Sequence, residues 1–384
     1  MKKYSLSDSI LDMLEDYEYY NEISGVTPLL SKNVNETKLG KKYAYSIVGP
    51  IRNSYFNITK KILEHYLSHI PLNRSATAYC TGKSYYDFIE PHRENFFFLR
   101  LDIRNFFHSI SSNLVESRLL DYFSSEPLTN NCTQTHAQAV KNLVVYNLGD
   151  KCSNTTFRNK EVLPMGFPLS PIISNVVFRK IDLLIEKFCD LHGITYTRYA
   201  DDLLFSSRGV ENSLPEVLFG SGSRYREPFL HSKSFYNEIS LLLNVDGFKI
   251  NPKKTIKFTH TASINGYVIA GTNYPDIMGS IRLSNKKTNI ISKLINKVSF
   301  GESDRIIIKK LFPEDYPKPR FKSNQYKFID KYCQTQVTNK LIGYKSYLIS
   351  LMKFNENKNC LEEHYKNKYS KLIDNIDQLL SKRL

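Results

Sequence analysis

Two adjacent aspartates between two β-forming stretches constrain this chain more than any other feature. Residues 194–199 (ITYTRY) precede Asp201 and Asp202, and residues 203–207 (LLFSS) follow them. β-Branched and aromatic residues on both sides of the two acids predict a β-hairpin with the acids at its tight turn. A rigid hairpin is a suitable support for a catalytic group.

The charge of this pair indicates its chemistry. Adjacent carboxylates repel and shift each other's pKa unless a cation neutralises them. Oxygen ligands suit Mg²⁺, which typically binds one or two carboxylates together with substrate phosphates. The pair therefore predicts a Mg²⁺-dependent enzyme acting on phosphates, and the alternative is a solvated Asp-Asp turn.

A third acid is predicted at the end of another strand. Residues 96–101 (FFFLRL) form an apolar, β-prone run that ends at Asp102. A carboxylate at the end of a buried strand is costly to desolvate unless it is paired or metal-bound. Asp102 is thus the expected partner of Asp201 in a two-metal site, although it also suits the N-cap of the following segment.

Four motifs in order resemble those of reverse transcriptases. Residues 99–110 (LRLDIRNFFHSI) resemble the first catalytic motif, and residues 163–175 (LPMGFPLSPIISN) resemble the second. Residues 199–202 (YADD) match the YxDD box, and residues 247–255 (GFKINPKKT) resemble the lysine-bearing motif that follows it. One short match arises often by chance, whereas four in the family's order are a specific signal.

The resemblance extends to bacterial enzymes of the retron type. Residues 78–84 (AYCTGKS) resemble the fingers motif of bacterial, group II intron and retron-like enzymes. Residues 264–269 (INGYVI) lie where retron enzymes carry Val-Thr-Gly, and residues 88–92 (FIEPH) keep the His but not the Asn-Ala of an upstream element. Both retron elements are therefore kept in part.

The resemblance assigns roles to the motif residues. It implies that Asp102, Asp201 and Asp202, with Ile103 among the metal-binding residues, hold two Mg²⁺ ions, Mn²⁺ being an alternative. The ions would lower the pKa of the primer hydroxyl and bridge the triphosphate. Phe107 matches the steric gate that excludes a ribose 2′-OH, and its alternative role is core packing beside Phe106.

Further nucleotide contacts are expected from the same motifs. Met165 stands where the family commonly has Gln, so it offers only apolar contact and a weak acceptor sulfur. Gly166 permits close approach of the backbone to nucleotide or template. Lys42, Lys253 and Lys254 are expected at the phosphates, with ordinary surface charge as the alternative.

The charge of the chain indicates a polyanionic partner. The net charge is +15, and 22 Lys and Arg against 10 Asp and Glu lie in residues 281–384. This basic, aromatic-rich end suits contact with nucleic acid through charge and stacking. The expected nucleic-acid contacts are Lys83, Tyr199, Lys286, Lys287 and Lys322.

The predicted fold class is α+β, a right-hand polymerase with fingers, an antiparallel palm sheet and a helical thumb. The expected divisions are residues 1–98 for the N-terminal helix and fingers, 99–270 for the palm, and 271–384 for the basic thumb and tail. A segment near 112–165 would return to the fingers. The pattern also predicts helices over residues 5–22 and 170–191 and a fingers strand over 38–47.

The sequence favours neither a membrane protein nor a disulfide-bonded protein. No apolar run reaches the roughly 20 residues of a membrane span. The six cysteines include no CxxC pair, which fits reduced thiols rather than a zinc ribbon. We therefore expect a cytoplasmic protein with no membrane partner.

The resemblance implies an RNA-directed DNA polymerase of the retron type that copies a dedicated noncoding RNA in antiphage defence. Its expected partners are that RNA as template and primer, the DNA product, dNTPs and an effector protein encoded nearby. One alternative is another defence-associated reverse transcriptase with repetitive or untemplated DNA synthesis. An RNA-dependent RNA polymerase and a non-enzymatic RNA-binding scaffold are the others.

Overall fold

The structure is a computed structural model that describes residues 3–40, 42–150, 152–208, 228–272, 277–318 and 325–383. The chain divides into two compact units, residues 1–91 with 98–257, and residues 92–97 with 258–384. Both units contain helices and strands, which confirms the predicted α+β class. The division into fingers, palm and thumb at residues 98 and 270 stays a prediction.

Helices and short strands alternate along the first part of the chain. Its helices are α1 Asp8–Glu15, α2 Ile51–His65, α3 Tyr85–Ile89, α4 Ser112–Leu119, α5 His136–Val144, α6 Ser170–Leu191 and α7 Lys233–Asn244. Its strands are β1 Tyr20–Asn21, β2 Gly25–Val26, β3 Val34–Leu39, β4 Lys42–Ile47, β5 Phe97–Asp102, β6 Tyr146–Asn147, β7 Glu161–Val162, β8 Thr195–Tyr199, β9 Asp202–Ser207 and β10 Ile256–Thr259.

A four-stranded sheet in the order β10-β5-β9-β8 carries the predicted acids. Strands β8 and β9 are antiparallel, with Thr195 opposite Ser206 and Tyr199 opposite Asp202. Ala200 takes a positive φ of 55° in the connecting turn. The predicted hairpin is therefore confirmed, and Asp201 lies in its two-residue turn.

Helix α6 holds this hairpin through a buried ion pair. The Arg198 guanidinium donates to both carboxylate oxygens of Asp182 at 2.9 and 2.7 Å, and both side chains are 0% exposed. It also donates to the Asn175 side chain at 3.0 Å and to the Ala200 carbonyl at 3.2 Å. Since the last bond reaches the turn itself, α6 fixes the position of the residue that precedes Asp201.

Two local predictions need correction. The predicted helix over residues 5–22 ends at Glu15, because the chain then forms β1 and pairs it antiparallel with β2. The predicted strand over residues 38–47 is a hairpin of β3 and β4, in which Leu39 pairs with Lys42. Gly40, with a φ of 61°, begins the turn that a longer strand would not contain. The helix predicted over residues 170–191 is confirmed as α6.

The second unit combines a small sheet with a group of helices. Strands β11 Thr261–Ile264, β12 Tyr267–Ala270 and β13 Ser280–Leu283 form an antiparallel sheet in that order. The helices that follow are α8 Asn285–Ser299, α9 Asp304–Leu311, α10 Gln325–Lys358 and α11 Glu363–Ser381. Across the described ranges, every helix is too short or too polar to cross a bilayer.

The buried pair generates a stability prediction. Asp182→Asn leaves the Arg198 guanidinium buried without a counter-charge, so the free energy of unfolding should fall by about 3 kcal/mol or more. Urea denaturation measures this loss. As a control, Glu64→Ala removes the exposed Lys60–Glu64 pair and should cost no more than about 0.5 kcal/mol. Equal losses in the two variants would contradict the structural role of the buried pair.

Candidate active site

Three of the sequence motifs meet through backbone hydrogen bonds at the end of β5. The Ile103 amide donates to the Asp201 carbonyl at 2.9 Å, which joins the end of β5 to the hairpin turn. The Asn251 amide donates to the Asp102 carbonyl at 2.7 Å. Because these bonds involve main-chain atoms, they place Asp102 beside Asp201 whatever the rotamers of the two acids.

Each of the three acids faces a cation. Lys254 donates to one oxygen of Asp102 at 2.6 Å, while the Asn251 side chain donates to the other at 3.0 Å. Lys42 donates to Asp201 at 3.0 Å. A third pair joins Arg100 to Asp202, with the guanidinium reaching both carboxylate oxygens at 2.8 Å.

The charges of the acids shift the pKa of Asp202 and of Lys42. Burial raises the pKa of Asp202, Arg100 opposes that rise, and the charges of Asp201 and Asp102 add to it. Burial acts to lower the pKa of Lys42, but Asp201 foremost, with Asp102 and Asp202, raises it above its usual range. The charges of Asp102 and Asp201 therefore act on the Asp202 carboxylate.

The acids meet part of the requirement for binding a divalent metal ion. No group of three or more His, Cys, Asp or Glu in the described part of the chain is gathered closely enough to hold a metal ion. Asp102 and Asp201 nevertheless supply the oxygen donors that Mg²⁺ prefers. Their lysine partners Lys254 and Lys42 are 52% and 56% exposed and can move into solvent without breaking the fold. The donor chemistry of these two acids therefore suits a hard divalent cation.

The predicted gate, Phe107, is half-buried rather than part of the closed core. Its ring centre lies 5.4 Å from Phe106 and 6.4 Å from Tyr79. Tyr79 is 46% exposed and has a positive φ of 59°. Burial raises the pKa of Tyr79, and the charge of Asp201 adds to the rise. Sequence reasoning did not single out Tyr79, although it lies inside the fingers motif of residues 78–84.

Met165 and Gly166 pack against strand β4. The Tyr45 amide of β4 donates to the Met165 carbonyl at 2.8 Å. Gly166 has a φ of 111°, and a Cβ added there would lie 2.4 Å from the Tyr45 carbonyl oxygen. The sequence predicted close approach of Gly166 to nucleotide or template, whereas the close approach that the structure contains is to β4. A nucleotide contact by Met165 or Gly166 stays a prediction.

The remaining predicted residues lie in different surroundings. Lys83 donates to the Arg74 and Ala76 carbonyls at 2.7 Å, which ties it to its own loop. Tyr199 packs its ring 4.9 Å from Tyr85, and Lys253 is exposed.

The second unit holds two more of the predicted nucleic-acid contacts. Lys286 and Lys287 lie in the first turn of α8. The Lys287 ammonium lies 5.9 Å from the centre of the Tyr347 ring. Lys322, also predicted to bind nucleic acid, lies outside the described residues.

Sequence reasoning missed the polar partners of the acids. Arg100 lies inside the first motif and Asn251 inside the last, yet neither was assigned a role. Arg100 is a charged residue within an apolar, β-prone run, and this is the signal by which the sequence could have revealed it. Asn251 gave no comparable signal, because an Asn before Pro is common in turns.

The contact of Gly166 with β4 generates a prediction. Gly166→Ala should destabilise the fold by about 2 kcal/mol, from backbone strain at positive φ and from the clash with Tyr45. Gly149→Ala is the matched control, because Gly149 also has a positive φ of 62° but faces open space. Thermal unfolding compares the two. If the variants lose equal stability, the contact with Tyr45 is not the cause.

Comparison with known proteins identifies the family. Residues 51–290 match the family described as reverse transcriptase (RNA-dependent DNA polymerase). The retron Ec83 reverse transcriptase of Escherichia coli is 32% identical over 150 residues, covering 39% of this chain and 45% of that protein. The retron Mx162 reverse transcriptase of Myxococcus xanthus is 25% identical over 194 residues, covering 50% and 38%.

The matches among solved structures have lower sequence identity. The telomerase of Candida albicans in complex with a fragment of telomeric RNA aligns with a TM-score of 0.39 and 12% identity, covering 93% of this chain and 65% of that chain. The present chain spans half the length or less of the curated relatives described above. Since the family match covers more than half of the chain and includes every catalytic motif, the protein belongs to the reverse transcriptase family.

Proposed function

We propose that this protein is an RNA-directed DNA polymerase of the retron type. The observation that carries the proposal is the backbone bond between Ile103 and Asp201, which joins the first motif to the YxDD turn. Membership of the reverse transcriptase family supports the reaction class. The similarity to retron reverse transcriptases supports the retron type.

In this proposal the acids hold two Mg²⁺ ions, and Mn²⁺ can replace them. When bound, the ions would lower the pKa of the primer hydroxyl and place positive charge beside the triphosphate. Asp102 and Asp201 provide the carboxylate oxygen ligands. Ile103, next to Asp102 in the chain, is also assigned to the metal site. The sequence prediction also placed Asp202 in this ligand set.

The lysines act on the phosphates. Without metal, Lys42 pairs with Asp201 and Lys254 pairs with Asp102. Metal bound to the acids would neutralise them, and both ammonium groups would then be available to bind the phosphates. An ammonium group acts as a point charge for phosphate oxygens. Lys253, exposed beside Lys254, is assigned to the same phosphates or to the leaving pyrophosphate.

Phe107 selects the sugar. A half-buried ring keeps its position while presenting an edge to the substrate, and its contacts with Phe106 and Tyr79 hold it there. Such an edge leaves no room for a 2′-OH, so deoxynucleotides are preferred. Met165 and Gly166 form the apolar floor of the nucleotide pocket.

The proposed partners are a dedicated noncoding RNA as template and primer, its DNA product, and an effector protein encoded nearby. The excess of Lys and Arg in residues 281–384 supports binding of a polyanion. Lys286 and Lys287 are assigned to the nucleic acid, and the second unit to the thumb. All six cysteines are free thiols, which supports a cytoplasmic location.

Loss of the acids tests the chemistry. Asp102→Asn or Asp201→Asn should reduce extension of an RNA-templated primer by on the order of 10³-fold, because the ligand charge is lost at the reacting centre. Primer extension with radiolabelled dNTPs measures the rate. Asp190→Asn is the control, since Asp190 is an exposed acid on α6. Extension at the parental rate by both acid variants would contradict the proposed catalytic role.

The nucleic acid that copurifies with the protein distinguishes the retron type from its alternatives. A discrete RNA joined or annealed to a ribonuclease-resistant DNA supports the retron type. DNA with tandem repeats, or without a matching template, indicates another defence-associated reverse transcriptase. Bound RNA with no DNA product, in a protein that also fails to extend a primer, contradicts the polymerase proposal.

Removal of the gate tests sugar selection. Phe107→Ala opens space at the sugar, so the ratio of ribonucleotide to deoxynucleotide incorporation should rise by about 10²-fold. Single-nucleotide incorporation kinetics with dNTPs and rNTPs measure this ratio. Phe107→Tyr keeps the bulky ring and should leave selection near the parental value. If Phe107→Ala leaves the ratio unchanged, Phe107 is a packing residue only.

A further inference from the structure

The first unit contains a cavity of about 630 Å³ that the proposed function does not use. Its lining residues come from three segments of the chain: residues 104–113, 156–162 and 247–249. The Arg104 amide donates to the Lys249 carbonyl at 2.8 Å, and the Leu163 amide donates to the Ile110 carbonyl at 2.9 Å. Main-chain bonds therefore join the three segments, and the backbone sets the shape of the cavity.

The cavity is separate from the site proposed for the incoming nucleotide. The residues assigned to that nucleotide, all of which the structure describes, do not line the cavity: Lys42, Phe107, Met165, Gly166, Lys253 and Lys254. The two sites are nevertheless neighbours in the fold, because Arg104 follows Asp102 by two residues.

Positive charge dominates the lining of the cavity. Arg104, Lys160 and Lys249 line it together with a single acid, Glu161. The three cations are exposed, and none of them forms an ion pair with a carboxylate in the described part of the chain. They are therefore available to an anionic ligand, and the concave surface concentrates their field.

Helix α4 begins at the same cavity. Ser111, which precedes the helix, and Asn113, in its first turn, both line it. The Ser111 side chain accepts from the Leu114 amide at 3.3 Å, which leaves the Asn113 amide without an acceptor inside the helix. The start of a helix binds phosphate through such amides.

A buried histidine also lines the cavity. His108 is 7% exposed, and its Nε2 atom is buried with no hydrogen-bond partner among the described residues. Burial lowers the pKa of His108 to about 4, so the ring is neutral near pH 7 and carries one N–H. Since buried polar atoms are nearly always hydrogen-bonded, this atom indicates that a partner from outside the chain is missing.

One side of the cavity is apolar. Phe157 and Val162 are buried there, and the ring centres of His108 and Phe157 lie 5.6 Å apart. Small-molecule sites combine such a surface with a few polar groups, in volumes of about 300–1,000 Å³. An inorganic anion would contact the cations and leave the apolar side uncovered, whereas a nucleotide base would cover it.

We propose that this cavity is a second nucleotide site, which binds a nucleoside polyphosphate other than the one being incorporated. Arg104, Lys249 and the start of α4 bind the phosphates, Phe157 packs against the base, and Nε2 of His108 bonds to the ligand. The site is additional to the proposed polymerase activity and does not depend on it.

Binding of ATP to the full chain in excess EDTA tests the inference. Without divalent metal, Lys42 pairs with Asp201 and Lys254 pairs with Asp102, so the proposed site of the incoming nucleotide lacks its ions. Nuclease treatment and a high-salt wash first remove bound nucleic acid. Equilibrium dialysis with radiolabelled ATP then measures the dissociation constant, and adenosine and inorganic tripolyphosphate compete as separate probes. ATP should bind about tenfold or more tightly than either of them.

Substitutions in the cavity locate the bound ATP. Arg104→Gln/Lys249→Gln should weaken ATP binding by about tenfold or more, because two charged donors are lost. Lys180→Gln/Lys187→Gln removes the same charge from two exposed lysines on α6 and should stay within about twofold of the parent. His108→Phe keeps a ring and removes Nε2, so ATP binding should weaken by about fivefold while thermal unfolding stays unchanged or rises.

Each outcome decides the inference. Weaker binding in both cavity variants, with the α6 control unchanged, supports it. A parent that does not bind ATP at about 1 mM, or a cavity double variant that binds ATP as tightly as the parent, overturns it. Tripolyphosphate that binds as tightly as ATP overturns the assignment to a nucleotide.

Nucleic acid is the other possible occupant. An RNA oligonucleotide that needs Arg104 and Lys249 for binding, in a protein that does not bind ATP, assigns the cavity to nucleic acid and overturns the inference. None of these measurements requires catalysis, so their failure leaves the polymerase proposal intact.

Discussion

Mutual repulsion among three carboxylates at one end of a sheet is the constraint on which this structure depends. The charges of Asp102 and Asp201 add to the rise in the pKa of Asp202, and all three acids raise the pKa of Lys42. Three cations from different parts of the chain offset this repulsion, two of them on exposed lysines and one on a sheltered arginine. The exposure of these cations differs, with Lys42 and Lys254 about half exposed and Arg100 only 19% exposed.

The repulsion would separate the acids if side chains alone held them together. The backbone bond from Ile103 to Asp201 and the Arg198–Asp182 pair beneath the hairpin resist that separation. Two residues at this place, Ala200 and Tyr79, have positive φ. Strained residues persist where the surroundings over-determine them, and they cluster at functional sites. Here the surroundings are helix α6 and the loop that bonds to β8.

Much of the candidate active site could be predicted from local sequence. The hairpin, the strand ending at Asp102 and helix α6 follow from periodicity and residue type, because each is continuous in the chain. The pairing of Arg100 with Asp202 could not be predicted, since it depends on which strand lies beside β5. The helix expected over residues 5–22 is correct only for Asp8–Glu15, because the chain beyond it forms the local hairpin of β1 and β2.

Anomalous diffraction from crystals grown with Mn²⁺ and an unreactive dNTP analogue tests the central claim most directly. We predict anomalous peaks within bonding distance of carboxylate oxygens of both Asp102 and Asp201, with Lys42 and Lys254 withdrawn from those acids. Mn²⁺ bound elsewhere, with Asp102 and Asp201 still paired to their lysines while nucleotide is present, would contradict the account.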